Sequence, residues 1–516
     1  MKKLNILLLL IILAVNPGNS KNYFVAVTGT SGSAGTISSP YDFNTAVSKT
    51  VAGDTVFIRG GMYSYSSSVT ISKSGSALSY IHMVAYSAEI PVFDFRNQVY
   101  GSNSIGIKLS GNYVHIKGIT VQGAGDNGMQ VTGSYNYVEN CTFRWNCDSG
   151  LQMKTGSNNL IVNCDSYENF DYESGGTSSP DYGGNADGFA DKQYSNTGTN
   201  TYKKCRSWRN SDDGWDSYEK IGNTVYDSCW CYAMSPSTFD MTDHIRFKTD
   251  SASWFYQFKN SSGRYVIKNY GNGNGFKLGG NYTANNATVH NCVAVGNPTK
   301  GFDQNNNNGT MTLYNCTSYN NKTNYGFSNS SYGTLIIKNC ASLTSAGSNS
   351  FSTKTVTQAF NSWNSGFSCS ASDFVSLDYT QLLNPRQNDG SLPEISFLHL
   401  TPSAAMIDKG TNLGLPFSGT APDLGAFEYY APTATHDLSE NNSDCKISYS
   451  DTNKSILIEG KPRLVGIYSL TGVNLYSIHA DSESVSVSTD RIAKSIVLVR
   501  VVSTDGKVLV KKVQVN

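Results

Sequence analysis

Short hydrophobic runs separated by glycine- and asparagine-rich turns recur at a nearly fixed spacing through most of the chain. A cysteine marks each repeat, and four of the six steps between successive cysteines are 23 or 24 residues long. These cysteines are Cys141, Cys164, Cys205, Cys229, Cys292, Cys316 and Cys340. A fixed period in this range is typical of solenoids, and short β-like runs without helical periodicity predict a parallel β-helix.

A second hydrophobic column, usually preceded by glycine, follows each cysteine by about ten residues. Its members are Ile107, Met129, Leu151, Phe189, Trp215, Phe276, Phe302, Phe327 and Phe351. We interpret both columns as interior side chains that stack about 4.8 Å apart along the axis. Since stacked equivalent positions pair poorly as disulfides, we expect buried thiols. The asparagines that precede most of the cysteines, such as Asn140 and Asn163, predict a hydrogen-bonded ladder at a bend.

Two steps of the repeat are longer than the others. The separation from Cys164 to Phe189 is 25 residues, and that from Cys229 to Phe276 is 47 residues, where about ten are usual. The extra residues predict loops at 170–184 and at about 235–270. Insertions that cluster on one face of a repeat protein usually mark its binding face.

The ends of the chain differ from the repeat body. Residues 1–20 have the charged start and short apolar core of a secretory signal, so we expect a secreted or cell-surface protein. Residues 21–430 form the predicted β-helix catalytic domain, 431–444 a polar linker, and 445–516 a small β-sandwich with a sorting or accessory role. A short helix at 41–51 is expected to cover the open end of the stack.

Composition and charge exclude several classes of partner. Lysine plus arginine and aspartate plus glutamate both number 39, so the formal charge is zero and nothing suggests attraction to nucleic acid. No apolar run beyond the N-terminus is long enough to span a bilayer. We also expect the protein to be a monomer. The repeat and the tail together predict an all-β fold class, a parallel β-helix solenoid with a small C-terminal sandwich.

Four aspartates and a lysine recur at fixed offsets from the glycine–aromatic pairs. They are Asp187, Asp212, Asp213, Asp216 and Lys277. Strand alternation turns the residue after each inward aromatic outward, so Asp216 and Lys277 should face solvent on adjacent coils. The outward column is Lys108, Gln130, Gln152, Ala190, Asp216, Lys277, Asp303 and Ser328.

This register predicts a calcium site with a lysine base beside it. Clustered carboxylates repel unless a cation lies among them, and calcium tolerates irregular shells of aspartate oxygens. No histidine or cysteine lies at ligand spacing, which argues against zinc. A uronate sugar fits such a site, because calcium acidifies its C5 hydrogen and Lys277 removes it. The alternative is a polar turn with solvated aspartates.

Residues 185–189, 211–216 and 275–280 resemble the motifs of family 9 polysaccharide lyases of the pectate lyase L type. The resemblance covers about 22–430 and implies a right-handed parallel β-helix. It also implies that Asp187, Asp212, Asp213 and Asp216 bind Ca²⁺ and that Lys277 is the base. The tail is similar to C-terminal sorting domains of the type IX secretion system of Bacteroidetes, which implies contact with a secretion machinery.

Several alternatives stay open at this point. The substrate is an acidic plant polysaccharide, either pectate or rhamnogalacturonan I. A β-helical glycoside hydrolase would use paired carboxylates without a lysine, and the chain lacks its usual Gly-His-Gly segment. A non-catalytic adhesin is a third alternative. The aromatic run 254–258 suits either sugar stacking or packing of the insertion, and Arg246, Lys248 and Lys259 suit either substrate carboxylates or solvent.

Overall fold

The computed structural model describes residues 20–194, 198–248, 252–430, 445–469, 474–480, 482–489, 495–504 and 508–515. Residues 1–19 of the expected signal and the expected linker 431–444 lie outside these ranges. The chain divides into two compact units, Met1–Tyr429 and Tyr430–Asn516.

The first unit is a right-handed parallel β-helix in which each strand pairs in parallel with its equivalent on the next coil. One long sheet contains Asn22–Val25, Thr55–Ile58, Ile81–Ala85, Val114–Lys117, Tyr137–Glu139, Leu160–Val162, Thr199–Lys203, Gly222–Asp227, Asn285–His290, Thr310–Tyr314, Thr334–Lys338 and Thr355–Ala359. The next, called the site sheet below, contains Val69–Ile71, Ile107–Leu109, Met129–Val131, Leu151–Met153, Phe189–Asp191, Trp215–Asp216, Phe276–Lys277, Lys300–Asp303, Thr323–Phe327 and Ser350–Phe351.

A further long sheet closes each coil. It contains Gly61–Ser64, Pro91–Asp94, Thr120–Gln122, Thr142–Arg144, Asp165–Tyr167, Arg206–Trp208, Trp230–Tyr232, Val293–Val295, Thr317–Asn321 and Ala341–Ser345. The second insertion carries an antiparallel hairpin, Thr238–Asp240 with Val266–Lys268. Short 3-10 helices lie at Trp254–Phe258, Ala371–Asp373 and Tyr379–Leu383.

An α-helix, Phe43–Lys49, covers the first coil as the sequence predicts. The Asp42 side chain accepts a hydrogen bond from the Thr45 N–H at 2.9 Å and so caps the helix start. Phe43 is buried and its ring centroid lies 4.8 Å from that of Phe93. The helix therefore shields the apolar interior of the stack from solvent.

The cysteine column lies inside the coils as buried thiols, and the cysteines of the described residues form no disulfide. The predicted ladder of the preceding asparagines is wrong. Asn140 and Asn163 have φ angles of 53° and 54°, and their Oδ1 atoms are buried without a hydrogen bond. Asparagine occurs at these bends because it tolerates the left-handed conformation.

The asparagine ladder belongs to a different column, five residues after Cys141, Cys164 and Cys205. The Asn146 N–H donates to Asn169 Oδ1, and the Asn169 N–H donates to Asn210 Oδ1, both at 3.1 Å. The side-chain amides of Asn146 and Asn169 donate along the same column, at 2.9 and 2.7 Å. These bonds satisfy buried backbone groups where the coil turns toward the site sheet.

One register prediction is also wrong. Phe302 pairs with Tyr325 and Asp303 with Gly326, so neither Phe327 nor Ser328 occupies the predicted column on this coil. The Tyr325 ring stacks on Phe302 with centroids 5.3 Å apart. Its hydroxyl donates to backbone carbonyls at 2.9 and 3.1 Å, which places the tyrosine inside the coil.

The two predicted insertions pack against each other in one apolar cluster. Its buried members are Cys147, Phe170, Tyr172, Tyr182, Met241, Phe255, Tyr265 and Ile267. Residues 405–408 form turns and residues 424–427 form bends. Met406 and Leu424 in these segments are nevertheless buried in a second cluster that packs on Trp230 and Val293.

The second unit contains two antiparallel sheets, as expected for a small sandwich. The strands are Lys446–Ser450, Ser455–Glu459 and Ser484–Ser488 in one sheet, and Pro462–Ser469, Asn474–His479, Ser495–Ser503 and Val508–Val515 in the other. Ile456, Val465 and Val499 are buried between them. In the part of the chain that is described, no helix combines the length and the apolarity that a membrane crossing requires.

Candidate active site and metal centre

A stack of aromatic rings inside the site sheet sets the register of the functional side chains. Phe189, Trp215, Phe276 and Phe302 lie on consecutive coils with ring centroids 5.3, 4.6 and 4.9 Å apart. Each ring fills the interior and turns the next residue outward. The stack therefore brings Asp216 beside Lys277 on the outer face, as the sequence predicts.

Glycine precedes each of these aromatics because the backbone has no room for a side chain there. A Cβ on Gly188 would lie 2.0 Å from Ser207 Oγ, and one on Gly214 would lie 2.5 Å from Cys231 Sγ. The two glycines also continue the ladder, since the Gly188 N–H donates to the Asp213 carbonyl at 2.9 Å. The acidic residue before each glycine is thus held at the edge of the site sheet.

Three carboxylates meet at this edge. Asp187, Asp213 and Asp216 each offer one oxygen, these oxygens lie within 4.8 Å of one another, and all three residues are buried. Asp187 Oδ1 accepts a hydrogen bond from the Asp213 N–H at 3.1 Å. Its Oδ2 accepts one from Ser149 Oγ at 3.1 Å. We call Asp187, Asp213 and Asp216 the acidic triad.

Asp212, the fourth predicted ligand, lies beside the triad and outside it. Its carboxylate is buried and accepts a hydrogen bond from the Asn272 N–H in the second insertion. Asp212 nevertheless interacts electrostatically with the triad. Burial is the largest cause that raises the Asp212 pKa, and the charges of Asp213 and Asp187 raise it further. A ligand role for Asp212 stays a prediction.

Lys277 contacts two members of the triad. Its Nζ lies 3.1 Å from Asp213 Oδ2 and 3.4 Å from Asp216 Oδ1. The Tyr218 ring centroid lies 5.5 Å from Nζ and covers it. The expectation that Asp216 and Lys277 face solvent is wrong in degree. Both point out of the coil, but they are only 2% and 8% exposed, because neighbouring coils and Tyr218 enclose them.

A second lysine, Lys192, enters the triad from the other side, and the sequence interpretation missed it. Its Nζ lies 2.8 Å from Asp216 Oδ2 and 3.0 Å from Asp187 Oδ2. Lys192 follows Phe189 by three residues and so shares the outward parity of the residue next to that aromatic. Extending the alternation rule three residues past the glycine–aromatic pair would have shown that Lys192 points outward, but not that it reaches the triad.

Burial and charge pull the pKa values of the site in opposite directions. Burial raises the pKa of Asp187 and of Asp213 above the ordinary value. Burial also acts to raise the pKa of Asp216, but the two ammonium groups bring it below the usual range. For Lys277, burial acts to lower the pKa, yet the aspartates, led by Asp213, raise it well above normal.

The donor set fits a hard divalent cation. The triad offers carboxylate oxygens without sulfur or imidazole, which is the preference of calcium. Asn274 adds a buried Oδ1 that accepts no hydrogen bond, while its amide donates to Asp213 Oδ1 at 2.9 Å. Asp303, the register partner of Lys277 on the next coil, pairs instead with Lys300 at 2.8 Å. The acidic charge left for a cation is therefore that of the triad and Asp212.

Asp171 in the first insertion ties the two acidic segments together, and no sequence signal singled it out. We call 185–187 and 211–213 the acidic arms. Asp171 Oδ2 accepts from the Asn185 N–H at 3.1 Å, and Oδ1 accepts from the Ala186 N–H at 3.3 Å and from Ser211 Oγ at 3.1 Å. One carboxyl group thus holds both arms in place.

The second insertion contributes packing where sugar contacts were the alternative. Phe255 is buried, and Trp254 Nε1 donates to the Tyr172 carbonyl at 3.0 Å. Among the aromatic residues of this run only Tyr256 is exposed, at 45%. Arg246 is neither solvated nor open to substrate. Its guanidinium is buried and donates at 2.8 Å to the carbonyls of Gln98 and of Gly123, which anchors the insertion on the coils.

Comparison with known proteins places this geometry in context. The family model described as "Pel9A-like, right handed beta helix region" matches residues 23–349. Pectate lyase L of Dickeya chrysanthemi is 37% identical over 417 residues, which is 79% of this chain and 90% of the relative.

Two solved structures share the architecture. The crystal structure of pectate lyase Pel9A is 34% identical with a TM-score of 0.67, covering 80% of this chain and 97% of its own. A structure named rhamnogalacturonan lyase is 24% identical with a TM-score of 0.62, covering 74% of this chain and 97% of its own. At this identity the similarity supports the fold alone.

Proposed function

The chain belongs to the Pel9A-like right-handed β-helix family and is a polysaccharide lyase, and we propose that it cleaves a galacturonate-containing pectic polymer by calcium-dependent β-elimination. The observation that carries the proposal is the position of Lys277, whose Nζ lies 3.1 Å from Asp213 and 3.4 Å from Asp216. Lys277, the proposed proton acceptor, thus contacts two of the carboxylates that form the proposed calcium site, Asp213 and Asp216.

The acidic triad, with Asp212 next to it, would hold the calcium ion. Several carboxylate oxygens in an irregular arrangement suit calcium better than the strict octahedron of magnesium. When bound, the ion supplies positive charge to the carboxylate of the sugar and acidifies the neighbouring C5 hydrogen.

Lys277 acts as the general base in this proposal. Its neutral amine takes the proton from C5, the C5–H electron pair forms the C4–C5 double bond, and the bond from C4 to oxygen breaks. The departing oxygen takes a proton from water, and one product carries an unsaturated sugar at its new end. Each atom and electron pair is thereby accounted for without an oxidant or reductant.

The protonation state of Lys277 links base function to metal binding. The aspartates raise the pKa of Lys277 well above its ordinary value, so the metal-free site holds an ammonium group there. A base must lose its proton near the working pH. A divalent ion bound to Asp213 and Asp216 would offset their negative charge and so lower the pKa of Lys277.

Polymer degradation with and without a chelator tests the proposal. The protein is incubated with polygalacturonate and with rhamnogalacturonan I, and both ultraviolet absorbance and reducing ends are followed. We expect both signals to rise on polygalacturonate in calcium and neither in excess chelator. A rise on rhamnogalacturonan I alone would assign that polymer instead.

Three other outcomes would overturn parts of the proposal. Reducing ends without ultraviolet absorbance would mean hydrolysis by paired carboxylates. Full activity in excess chelator would remove calcium from the mechanism. Failure to cleave either polymer in calcium would favour a different substrate or the adhesin alternative.

We also propose export for this enzyme, on the strength of the signal-like residues 1–20 and the tail that resembles a sorting domain at 445–516. Expression in a host with the matching secretion system should place the full chain outside the cell. The same chain ending at residue 430 should stay inside if the tail is a sorting domain, and its unchanged export would make the tail an accessory module.

A further inference from the structure

Lys192 occupies the space that a metal ion would share with the acidic triad. Its Nζ lies 3.0 Å from Asp187 Oδ2 and 2.8 Å from Asp216 Oδ2, so it bridges two carboxylates of the proposed metal site. Lys277 contacts Asp216 through the other oxygen, Oδ1, at 3.4 Å. The two lysines therefore approach the triad from different sides and hold different parts of it.

An ammonium group and a calcium ion compete for such oxygens. Ammonium–carboxylate pairs have N–O distances of about 2.7–2.9 Å, and calcium–oxygen distances are about 2.3–2.6 Å. A metal ion that binds Asp187 and Asp216 through their Oδ2 atoms needs the lone pairs that the Lys192 ammonium group uses, so it must displace that group. The triad therefore has a counter-charge of its own before any metal arrives.

The backbone of Lys192 is fixed while its side chain has room to move. The Lys192 N–H donates to the Met153 carbonyl at 3.1 Å, and the preceding Asp191 is held inside the coil by Lys220 at 3.3 Å. The side chain is 18% exposed, which leaves a path outward along four rotatable bonds. Asp148, partly exposed one coil away, offers another carboxylate, since its charge already raises the Lys192 pKa.

We propose that Lys192 is a built-in counter-cation of the metal-free site, and that calcium binding exchanges its ammonium group for the ion at Asp187 and Asp216. This inference rests on the proposed function, because it takes the triad as the metal site. In the metal-free state the lysine keeps the buried carboxylates of Asp187 and Asp216 together. In return it lowers the apparent affinity for calcium, so that the ion must be present well above trace concentration.

Lys154 provides a matched control for this inference. It follows the strand Leu151–Met153 as Lys192 follows Phe189–Asp191, and the two strands are in register. Its Nζ lies 5.4 Å from the centroid of the Tyr194 ring, away from the triad. Lys154→Met therefore removes a lysine of the same column and the same strand end without touching a proposed ligand.

Calcium affinity and stability in chelator test the exchange directly. Isothermal titration calorimetry gives Kd for calcium in wild type, Lys192→Met, Lys192→Arg and Lys154→Met, and thermal unfolding in chelator gives Tm. We expect Lys192→Met to bind calcium at least about tenfold more tightly, because the competing charge is gone. Its Tm in chelator should fall while the gain in Tm on adding calcium increases. Lys192→Arg and Lys154→Met should keep the wild-type affinity.

Each other result has a defined meaning. Unchanged or weaker calcium binding in Lys192→Met overturns the exchange, and so does equal tightening in Lys154→Met. If wild type binds no calcium, the metal part of the proposed function fails together with the inference. If wild type binds and Lys192→Met does not tighten, only the inference fails. A variant that unfolds in chelator is prepared with calcium and titrated with a competing chelator, which yields the same Kd.

Discussion

Lys277 and Asp216 are register partners on adjacent strands of the site sheet, with Nζ 3.4 Å from Oδ1. The pairing follows from the interior, where Phe276 stacks on Trp215 with ring centroids 4.6 Å apart. The residues after two stacked rings must meet on the outer face. The second insertion lengthens the sequence between the acid and the amine without moving either one, so the rigid coil positions the proposed base.

Replacement of the proposed base should separate chemistry from folding. Lys277→Met should lower kcat/KM on polygalacturonate by about a thousandfold, because the group that takes the C5 proton in the proposed mechanism is gone. In calcium the variant should unfold at a temperature close to that of wild type, which thermal unfolding measures. Lys108→Met, at the same outward position on the strand Ile107–Leu109, is the control and should retain activity. Loss of the fold in calcium would make Lys277 a structural residue.

Asp171 should affect the metal site without binding metal or substrate. Asp171→Asn weakens the bonds that hold the two acidic arms, so calcium affinity and kcat should each fall by about 10- to 100-fold. Calorimetry and the lyase assay measure the two effects, and excess calcium should restore part of kcat while KM changes little. Asp181→Asn, an exposed residue of the same insertion, is the control. Equal effects of both changes would mean that the insertion as a whole is disturbed.

Asp126 should make the metal-free protein less stable as the pH rises. Burial, followed by the charge of Asp148, raises the pKa of Asp126 to about 7. The folded state therefore keeps a proton that the unfolded state loses near pH 4, so this stabilisation is complete in acid and disappears through about pH 7. Urea unfolding in chelator should show that Asp126 contributes about 2 to 3 kcal/mol to the loss in the free energy of unfolding between pH 5 and pH 8. Asp171, whose pKa burial raises to about 8, adds to that loss.

Two variants check that assignment. Asp126→Asn should remove the Asp126 contribution and so make the decline between pH 5 and pH 8 smaller, since the amide does not titrate. Asp243→Asn, which changes an exposed carboxylate of the second insertion, should leave the decline as it is in wild type. A decline that persists unchanged in Asp126→Asn would attribute it to other buried acids.

The C-terminal unit should be dispensable for catalysis. The triad, Lys192 and Lys277 all belong to the unit Met1–Tyr429, whose apolar clusters are built from its own residues. A chain ending at residue 430 should fold cooperatively and show the kcat/KM of the full chain. Circular dichroism and the lyase assay check this, and a folded but inactive product would show that the tail contributes to the site.

Much of the site could be predicted from local rules. The glycine before Trp215 and Phe276, and the alternation after these rings, were enough to predict that Asp216 and Lys277 are neighbours. The same rules could not give the burial of either side chain, because Tyr218 and the adjacent coils cover them. Local patterns also misassigned the ladder to Asn140 and its equivalents, where a left-handed bend uses asparagine for its backbone and leaves the amide oxygen unbonded.

The amino-acid sequence by itself determined the stacking of the coils, since a period of 23 or 24 residues made of short β-runs without helical periodicity predicts a parallel β-helix. It also determined that Asp216 and Lys277 share a face. Only the tertiary structure decided that Lys192 reaches the triad and that Asp171 joins the two arms. Long side chains and inserted loops contact residues on other coils. These contacts depend on distances in space, which the repeat length does not specify.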